Sequence, residues 1–184
     1  MKFNLYIYKF SNKEYNVTNE FSKYRLNKIK NSSNDFYIKK NIQIEKVINH
    51  IMFLSDKLKS TYHSIKNKHI STCNKYLNIS HNDEYLVVIY DKKNIGIDIE
   101  CMNRNIKIIN KEISDIRKWT IMESYVKYFG TSIFKDLDSY IITENMIYNL
   151  SGRLWYKTLE YKNNYISVAT NSQNFEINLI EVNI

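Results

Sequence analysis

The chain has 184 residues, of which 43% are hydrophobic and 14% aromatic; this excludes a disordered chain and allows one compact domain or two small packed halves. Its formal net charge of +8 suits polyanionic partners, but the abundance of Lys, Asn, Ile and Tyr and the lack of proline indicate a compositional bias, so charge identifies no partner. No apolar run approaches the roughly 18 residues that a membrane span needs. The two cysteines, Cys73 and Cys101, predict neither a disulfide framework nor a zinc site.

The first elements of the chain combine strands with two helices. Phe3, Leu5 and Ile7 alternate with polar residues, which predicts a strand and not a signal peptide, so we expect a cytoplasmic protein. Apolar residues at helical spacing predict the second helix. In chain order we predict a strand over 3–10, a lysine-rich helix over 19–31, a helix over 41–59, and strands over 76–80 and 84–90.

The second half of the chain repeats this mixture. We predict a strand over 95–101, an ambiguous segment over 106–115, a helix over 116–129 that stops at Gly130, and strands over 139–143, 146–149, 153–160, 164–170 and 174–181. Each half therefore offers strands and a helix to cover one sheet face, which predicts an α+β fold with mainly antiparallel pairing. We place the division near residue 92, giving halves of 1–92 and 93–184.

Two acidic residues share one face of the strand at 95–101. Asp98 and Glu100 are two positions apart, so both project to the side opposite Ile97 and Ile99. Neighbouring carboxylates repel unless a positive charge lies between them, and Mg²⁺ is held by one or two carboxylates together with phosphate oxygens and water. Gly96 leaves space where a backbone or a substrate could approach. The alternative interpretation is an exposed acidic strand face.

The predicted helix over 116–129 carries a third acidic candidate. Glu123 and Lys127 lie four residues apart and so share a face, where Glu123 could complete a magnesium site or take a proton and Lys127 could contact a phosphate. Two ordinary interpretations compete. Thr120 with Glu123 matches a capping box, and Glu123 with Lys127 matches a surface ion pair.

Ser80 and His81 lie at the end of a predicted strand and suit contact with a phosphate, although a histidine in a turn is usually just solvated. The chain has three glycines and none of the glycine-rich phosphate-binding motifs. A phosphate ligand would therefore have to be held by cationic side chains and metal.

Three segments, in this order, resemble the signature of the Sfp-type 4'-phosphopantetheinyl transferase superfamily: NISH at 78–81, IGIDIE at 95–100 and WTIMESYVK at 119–127. The resemblance is clearest over about 66–130. It implies two similar α/β halves, each an antiparallel sheet with a helix, related by a pseudo-two-fold axis with the active site between them. It also implies transfer of the phosphopantetheine arm of coenzyme A to a serine of an apo carrier protein, with release of 3',5'-adenosine bisphosphate.

The resemblance assigns a role to each candidate residue. Glu123 would be the base for the carrier serine and Lys127 would contact the reacting phosphate. The expected ligands of Mg²⁺, or of Mn²⁺, are Asp98, Glu100 and Glu123. The expected contacts to coenzyme A are Ser80, His81, Lys68, His69 and Lys28. An acidic acyl, peptidyl or polyketide carrier protein is the expected partner, and the protein is expected to be a monomer.

The chain departs from the family pattern in four places. Met122 replaces a lysine, the segment over 101–118 lacks a longer insert, and a proline beside Lys68 and His69 is replaced. The arginine-bearing helix of the first half is not recognisable, and either Lys39 with Lys40 or Lys28 with Lys30 would substitute for it. Two other hypotheses are a degenerate member that binds coenzyme A or a carrier protein without transfer, and a basic nucleic-acid-binding protein.

Overall fold

A computed structural model describes residues 1–18, 20–57, 61–65, 68–108, 111–132 and 139–184. The helices of this part of the chain are α1 (Lys23–Lys30), α2 (Asp35–Asp56) and α3 (Ile116–Phe129). The strands are β1 (Lys2–Lys9), β2 (Tyr62–Ile65), β3 (Lys68–Ser71), β4 (Tyr76–His81), β5 (Tyr85–Asp91), β6 (Gly96–Cys101), β7 (Ile106–Ile108), β8 (Lys111–Ile113), β9 (Ile141–Ile142), β10 (Met146–Asn149), β11 (Gly152–Tyr161), β12 (Asn164–Thr170) and β13 (Glu176–Glu181).

The first sheet has six strands in the order β13-β1-β5-β4-β3-β2, and its neighbours are antiparallel except for the parallel pair of β1 and β13. Helix α2 covers one face of this sheet, because its apolar residues recur at helical spacing and face the strands. The shared hydrophobic cluster includes Ile44, Val47, Ile48, Ile51 and Met52 of α2 with Leu86 and Val88 of β5. Asn34 caps the start of α2 by accepting a hydrogen bond from the amide of Tyr37.

The second sheet has five antiparallel strands in the order β6-β12-β11-β10-β9, and helix α3 packs against it. The helix begins after Asp115, whose side chain accepts a hydrogen bond from the amide of Lys118. It ends at Gly130, which has a φ of 70° that favours glycine. The sequence predicted both ends of α3 correctly.

The inner faces of the two sheets pack against each other. Their common hydrophobic cluster contains Phe3, Leu5 and Ile7 of β1, Val87 and Ile89 of β5, Ile97 and Ile99 of β6, and Ile166 and Val168 of β12. The order of layers is therefore α2, first sheet, second sheet, α3. Strand β6 lies at an edge of the second sheet and contacts β4 of the first, and this junction positions the candidate site.

The predicted α+β class with mainly antiparallel sheets is confirmed. The pseudo-two-fold relation between two halves stays a prediction, and so does the division into 1–92 and 93–184. That division falls in the turn between β5 and β6, but β13 returns from the second half to pair with β1 of the first. Among the described residues, no helix has both the length and the apolar character required to cross a bilayer.

Some local predictions were incomplete. The antiparallel pair of β2 and β3 was not predicted, and the described parts of the ambiguous segment over 106–115 contain the antiparallel strands β7 and β8. Helix α1 starts later than expected, because Ser22 caps it by accepting a hydrogen bond from the amide of Arg25. Short polar hairpins and exact caps depend on local hydrogen bonds that periodicity does not report.

Candidate active site

Three elements converge on the candidate site at the junction of the two sheets. Strand β4 ends with Ser80 and His81, strand β6 carries Asp98 and Glu100, and helix α3 carries the remaining candidates, Glu123 and Lys127. The alternation of β6 sends Ile97 and Ile99 into the core between the sheets, so Asp98 and Glu100 face the other way, towards α3. The structure thus brings together the three segments that the sequence singled out.

Asp98 lies at the centre of a short hydrogen-bonded cluster. Its Oδ1 accepts hydrogen bonds from Ser80 Oγ at 2.7 Å and from Lys127 Nζ at 2.6 Å, and Lys127 Nζ also donates to Ser80 Oγ at 2.9 Å. Asp98 is only 3% exposed, and its other oxygen, Oδ2, is buried without a hydrogen-bond partner among the described residues. A buried carboxylate with one unsatisfied oxygen is costly unless a donor or a cation binds there.

Gly96 allows α3 to approach β6 closely enough to form this cluster. A Cβ atom at Gly96 would lie 1.8 Å from the backbone oxygen of Ser124. The space at this glycine is therefore filled by the backbone of α3 and not by a substrate. This close contact between α3 and β6 determines where Glu123 and Lys127 lie relative to Asp98.

Glu100 is engaged by an arginine that sequence reasoning did not single out. Arg104 Nη1 donates to both carboxylate oxygens of Glu100, at 2.6 and 2.5 Å. Burial raises the pKa of Glu100 and the charge of Asp98 raises it further, while the hydrogen bond from Arg104 opposes them. Both acidic residues of β6 are buried, so the alternative of an exposed acidic strand face is wrong.

Glu123 is the acidic residue of the site with an open carboxylate. Among the described residues it has no hydrogen-bond or ion-pair partner, because Lys127 pairs with Asp98 instead. Burial, together with the negative charges of Asp98 and Glu100, raises the pKa of Glu123 to about 7, and Lys127 offsets only part of this effect. Such a carboxylate can accept or release a proton near neutral pH.

Both ordinary interpretations of the helix residues are wrong. The surface ion pair between Glu123 and Lys127 is not formed, since Lys127 reaches across to β6. Thr120 is not a helix cap, because Asp115 caps α3. The Thr120 hydroxyl donates a hydrogen bond to the carbonyl oxygen of Arg117 and shares another with the hydroxyl of Ser167. Glu123 therefore takes part neither in a capping box nor in an ion pair with Lys127.

The carboxylates fit a divalent cation only in part. Within the described ranges, no group of three or more His, Cys, Asp and Glu side chains is arranged to hold a metal ion. The unsatisfied Oδ2 of Asp98 and the open carboxylate of Glu123 are suitable hard oxygen ligands. The ion pair of Lys127 with Asp98 turns towards Asp98 the face of α3 that also carries Glu123, one helical turn earlier. Glu100 already binds the Arg104 guanidinium.

A cationic cavity of about 290 Å³ adjoins the cluster. Of the predicted coenzyme A contacts, Lys28, His69, Ser80 and His81 line it, and the side chain of Lys68 lies outside the described part of the structure. The remaining lining residues include Tyr24, Arg25 and Lys127. Because positive charge converges on a concave surface, the cavity suits a phosphorylated ligand.

Arg25 is a lining residue that the sequence did not reveal. It is 1% exposed, donates to Asn41 Oδ1 at 2.6 Å and pairs with Glu45, while its Nη2 has no partner among the described residues. A buried guanidinium nitrogen without a partner can bind an anion in the cavity. The lysine-rich composition around α1 gave no signal that separated Arg25 from its neighbours.

The two cavity histidines have lowered pKa values. Burial, with the charges of Arg25 and Lys28, lowers the pKa of His69 to about 4. Burial, with several surrounding cations that include Lys40 and Lys127, lowers the pKa of His81 to about 4 as well. A bound anion would offset these cations and raise both pKa values.

His81 lines both this cavity and a second one of about 420 Å³, whose lining also includes Lys40, Arg104 and Lys162. Of the predicted substitutes for the family's arginine, Lys28 therefore lines the first cavity and Lys40 the second. Lys39 pairs with Glu14 on the surface. Met122 is buried in the hydrophobic cluster beneath α3, where a lysine would have to bury its ammonium or extend past its neighbours.

Comparison with known proteins supports the resemblance to 4'-phosphopantetheinyl transferases over part of the chain. No model of a known protein family matches the chain. A curated relative, the 4'-phosphopantetheinyl transferase gsp of Aneurinibacillus migulanus, is 32% identical over a match that covers 38% of this chain and 38% of the relative. The chain thus spans about 38% of the length of the curated relative it matches. Part of this chain is therefore similar to a 4'-phosphopantetheinyl transferase, and the Sfp type stays a prediction.

Proposed function

We propose that this protein transfers the 4'-phosphopantetheine arm of coenzyme A to a serine of an apo carrier protein and releases 3',5'-adenosine bisphosphate. The observation that carries the proposal is the position of Glu123. This carboxylate is open and has a pKa of about 7, and it shares a helix with Lys127, which lines the cationic cavity next to the Ser80 and Asp98 cluster. The partial similarity to a phosphopantetheinyl transferase supports the same reaction.

The cavity residues would hold the phosphates of coenzyme A. Arg25 and Lys28 supply fixed positive charge at one end, and Lys127 supplies it beside Asp98. Ser80 and His81 add polar contacts at the strand end. In this arrangement Lys127 would contact the oxygens of the phosphate that is attacked and neutralise the charge that develops on them.

Glu123 would take the proton from the carrier serine, directly or through one water, as the serine oxygen attacks phosphorus and the bond to the adenosine bisphosphate breaks. A divalent cation, Mg²⁺ or Mn²⁺, would be held within the predicted set of Asp98, Glu100 and Glu123 and would neutralise phosphate charge there. Because Glu123 must be ionised to accept a proton, protonation of Glu123 at low pH should abolish transfer, and a bound cation would hold its pKa below the metal-free value of about 7.

Intact-protein mass spectrometry tests this function. An apo carrier protein is incubated with the protein, coenzyme A and Mg²⁺, with EDTA in a parallel sample. The expected result is a mass gain of one phosphopantetheine that is absent with EDTA and strongly reduced in Glu123→Gln. A panel of fatty-acid, polyketide and peptidyl carriers without any gain would contradict the proposal.

A second function is a module that binds coenzyme A or a carrier protein without transfer. The observation that favours it is that two predicted metal ligands already carry cations, Lys127 on Asp98 and Arg104 on Glu100. Calorimetric binding of coenzyme A, together with no mass gain on any carrier, would support this function. No contact among the described residues favours the nucleic-acid alternative. Tyr62, Tyr85 and Tyr125 are buried, so their rings are not available to stack on bases.

A further inference from the structure

Arg104 occupies both oxygens of one predicted metal ligand. A single nitrogen, Nη1, bridges the two oxygens of Glu100 at 2.6 and 2.5 Å. The Glu100 side chain is 11% exposed, whereas that of Arg104 is 53% exposed. The pair is thus a charge-assisted contact whose acidic half is buried and whose basic half reaches in from the surface.

The backbone keeps Arg104 next to Glu100. The amide of Arg104 donates to the carbonyl of Cys101 at 3.0 Å, which closes a turn directly after β6. The amide of Met102 donates to the carbonyl of Asn163 at 3.0 Å, which attaches the same turn to the connection between β11 and β12. The fold therefore fixes the backbone of Arg104 at a position from which its guanidinium reaches Glu100.

The other two carboxylates differ from Glu100 in having open oxygens. Asp98 Oδ2 is buried and without a partner among the described residues, and the carboxylate of Glu123 likewise has none. Across the described ranges, no cluster of three acidic, His or Cys side chains is arranged around one point, which is what a site with three protein ligands would require. The arrangement favours two carboxylate ligands.

We propose that Arg104 withholds Glu100 from the metal, so that a divalent cation in this protein would be held by Asp98 and Glu123 and not by Glu100. This inference takes from the proposed function only the expectation that a divalent cation binds at the site. Glu100 and Arg104 form a neutral pair beside the cation. Removing Arg104 would free a carboxylate and tighten binding, and removing both would leave binding nearly unchanged.

The test measures Mn²⁺ binding to the full chain without coenzyme A at pH 8. The electron paramagnetic resonance signal of free Mn²⁺ reports how much of the cation stays unbound. We expect Arg104→Gln to bind Mn²⁺ about tenfold more tightly than the unmodified chain, a size typical of changes around a metal ligand. The double variant Glu100→Gln with Arg104→Gln should stay within about threefold of the unmodified chain. Asp98→Asn and Glu123→Gln should each weaken binding by about tenfold or more.

Two results would overturn the inference. One is a double variant that loses as much Mn²⁺ affinity as Asp98→Asn, because Glu100 would then be a ligand in the unmodified chain. The other is an Arg104→Gln variant that gains no affinity. Circular dichroism of each variant verifies folding. Phosphopantetheine transfer is measured separately, so a chain that binds Mn²⁺ as expected but transfers nothing would refute the proposed function and leave this inference standing.

Discussion

Removing the carboxylates of Asp98, Glu100 and Glu123 from water costs free energy, and neighbouring cations and hydrogen-bond donors offset this cost to a different degree for each. Asp98 receives a lysine and a serine hydroxyl, and Glu100 receives an arginine. Glu123 receives neither, so burial and the charge of Asp98 raise its pKa with only partial compensation from Lys127. Glu123 is therefore the carboxylate of this cluster with a pKa near 7, whereas Asp98 and Glu100 are ion-paired. This difference suits Glu123 to proton transfer and the other two to electrostatic roles.

The raised pKa of Glu123 predicts a specific dependence of stability on pH. The folded state holds this proton more tightly than the unfolded state, so between about pH 4.5 and 7 the folded state binds more protons and the free energy of unfolding falls as pH rises. Glu123→Gln removes this penalty. We expect the variant to exceed the unmodified chain in stability by about 1–3 kcal/mol at pH 8 and to differ little at pH 4.5.

Urea unfolding at the two pH values measures this difference. Glu160→Gln on the exposed face of β11 is the control and should show no pH-dependent gain. An equal effect of Glu123→Gln at both pH values would show that Glu123 titrates in its ordinary range.

At the scale of elements, the site depends on the contact between α3 and β6. The absence of a side chain at Gly96 lets the helix backbone approach the strand, and the helical spacing of four residues then places Glu123 and Lys127 over Asp98. The sequence indicated a close approach at this glycine but left a backbone and a substrate as alternatives. Only the packing of α3 decides between them.

Gly96→Ala should displace α3 and uncouple Glu123 from Asp98. The added Cβ would lie 1.8 Å from the Ser124 oxygen, and a backbone atom cannot move without moving the helix. We expect a loss of about 3 kcal/mol, at the upper end for overpacking, and a fall of the Glu123 pKa towards its ordinary value. Carboxyl carbon NMR titration measures the pKa.

Gly130→Ala is the matched control at the end of the same helix. Its φ of 70° makes alanine unfavourable by about 1–2 kcal/mol, but the residue does not separate α3 from β6. The Glu123 pKa should stay near 7 in this variant. A Gly96→Ala chain with an unchanged Glu123 pKa would contradict the positioning role of the glycine.

At the scale of the whole molecule, the first and last described strands join the two ends of the chain. Strand β13 pairs in parallel with β1 from Lys2 to Ile7, and Phe175 just before it is buried between the sheets. Residues far apart in sequence thus complete one core. A division of the chain into two independent halves would have to break this pairing.

Deleting residues 176–184 should therefore abolish cooperative folding. The deletion leaves β1 as an exposed sheet edge and removes Ile177 and Leu179, which pack on the core between the sheets. With a total stability of about 5–15 kcal/mol for a typical domain, this loss is expected to give an aggregated or unfolded chain. Deletion of residues 183 and 184 is the control and should preserve a single urea transition. A truncated chain that still unfolds cooperatively would show that β13 is dispensable.

The sequence by itself determined the α+β class, the ends of α3, and the three segments that meet at the site. These features depend on local periodicity, capping and the alternation of a strand, which neighbouring residues encode. Tertiary structure decided which groups pair across the junction. Lys127 binds Asp98 and not Glu123, Arg104 binds Glu100, and Arg25 enters the cavity from a buried position. Charged side chains choose partners by distance in space and by burial, and neither quantity is written in the spacing of residues along the chain.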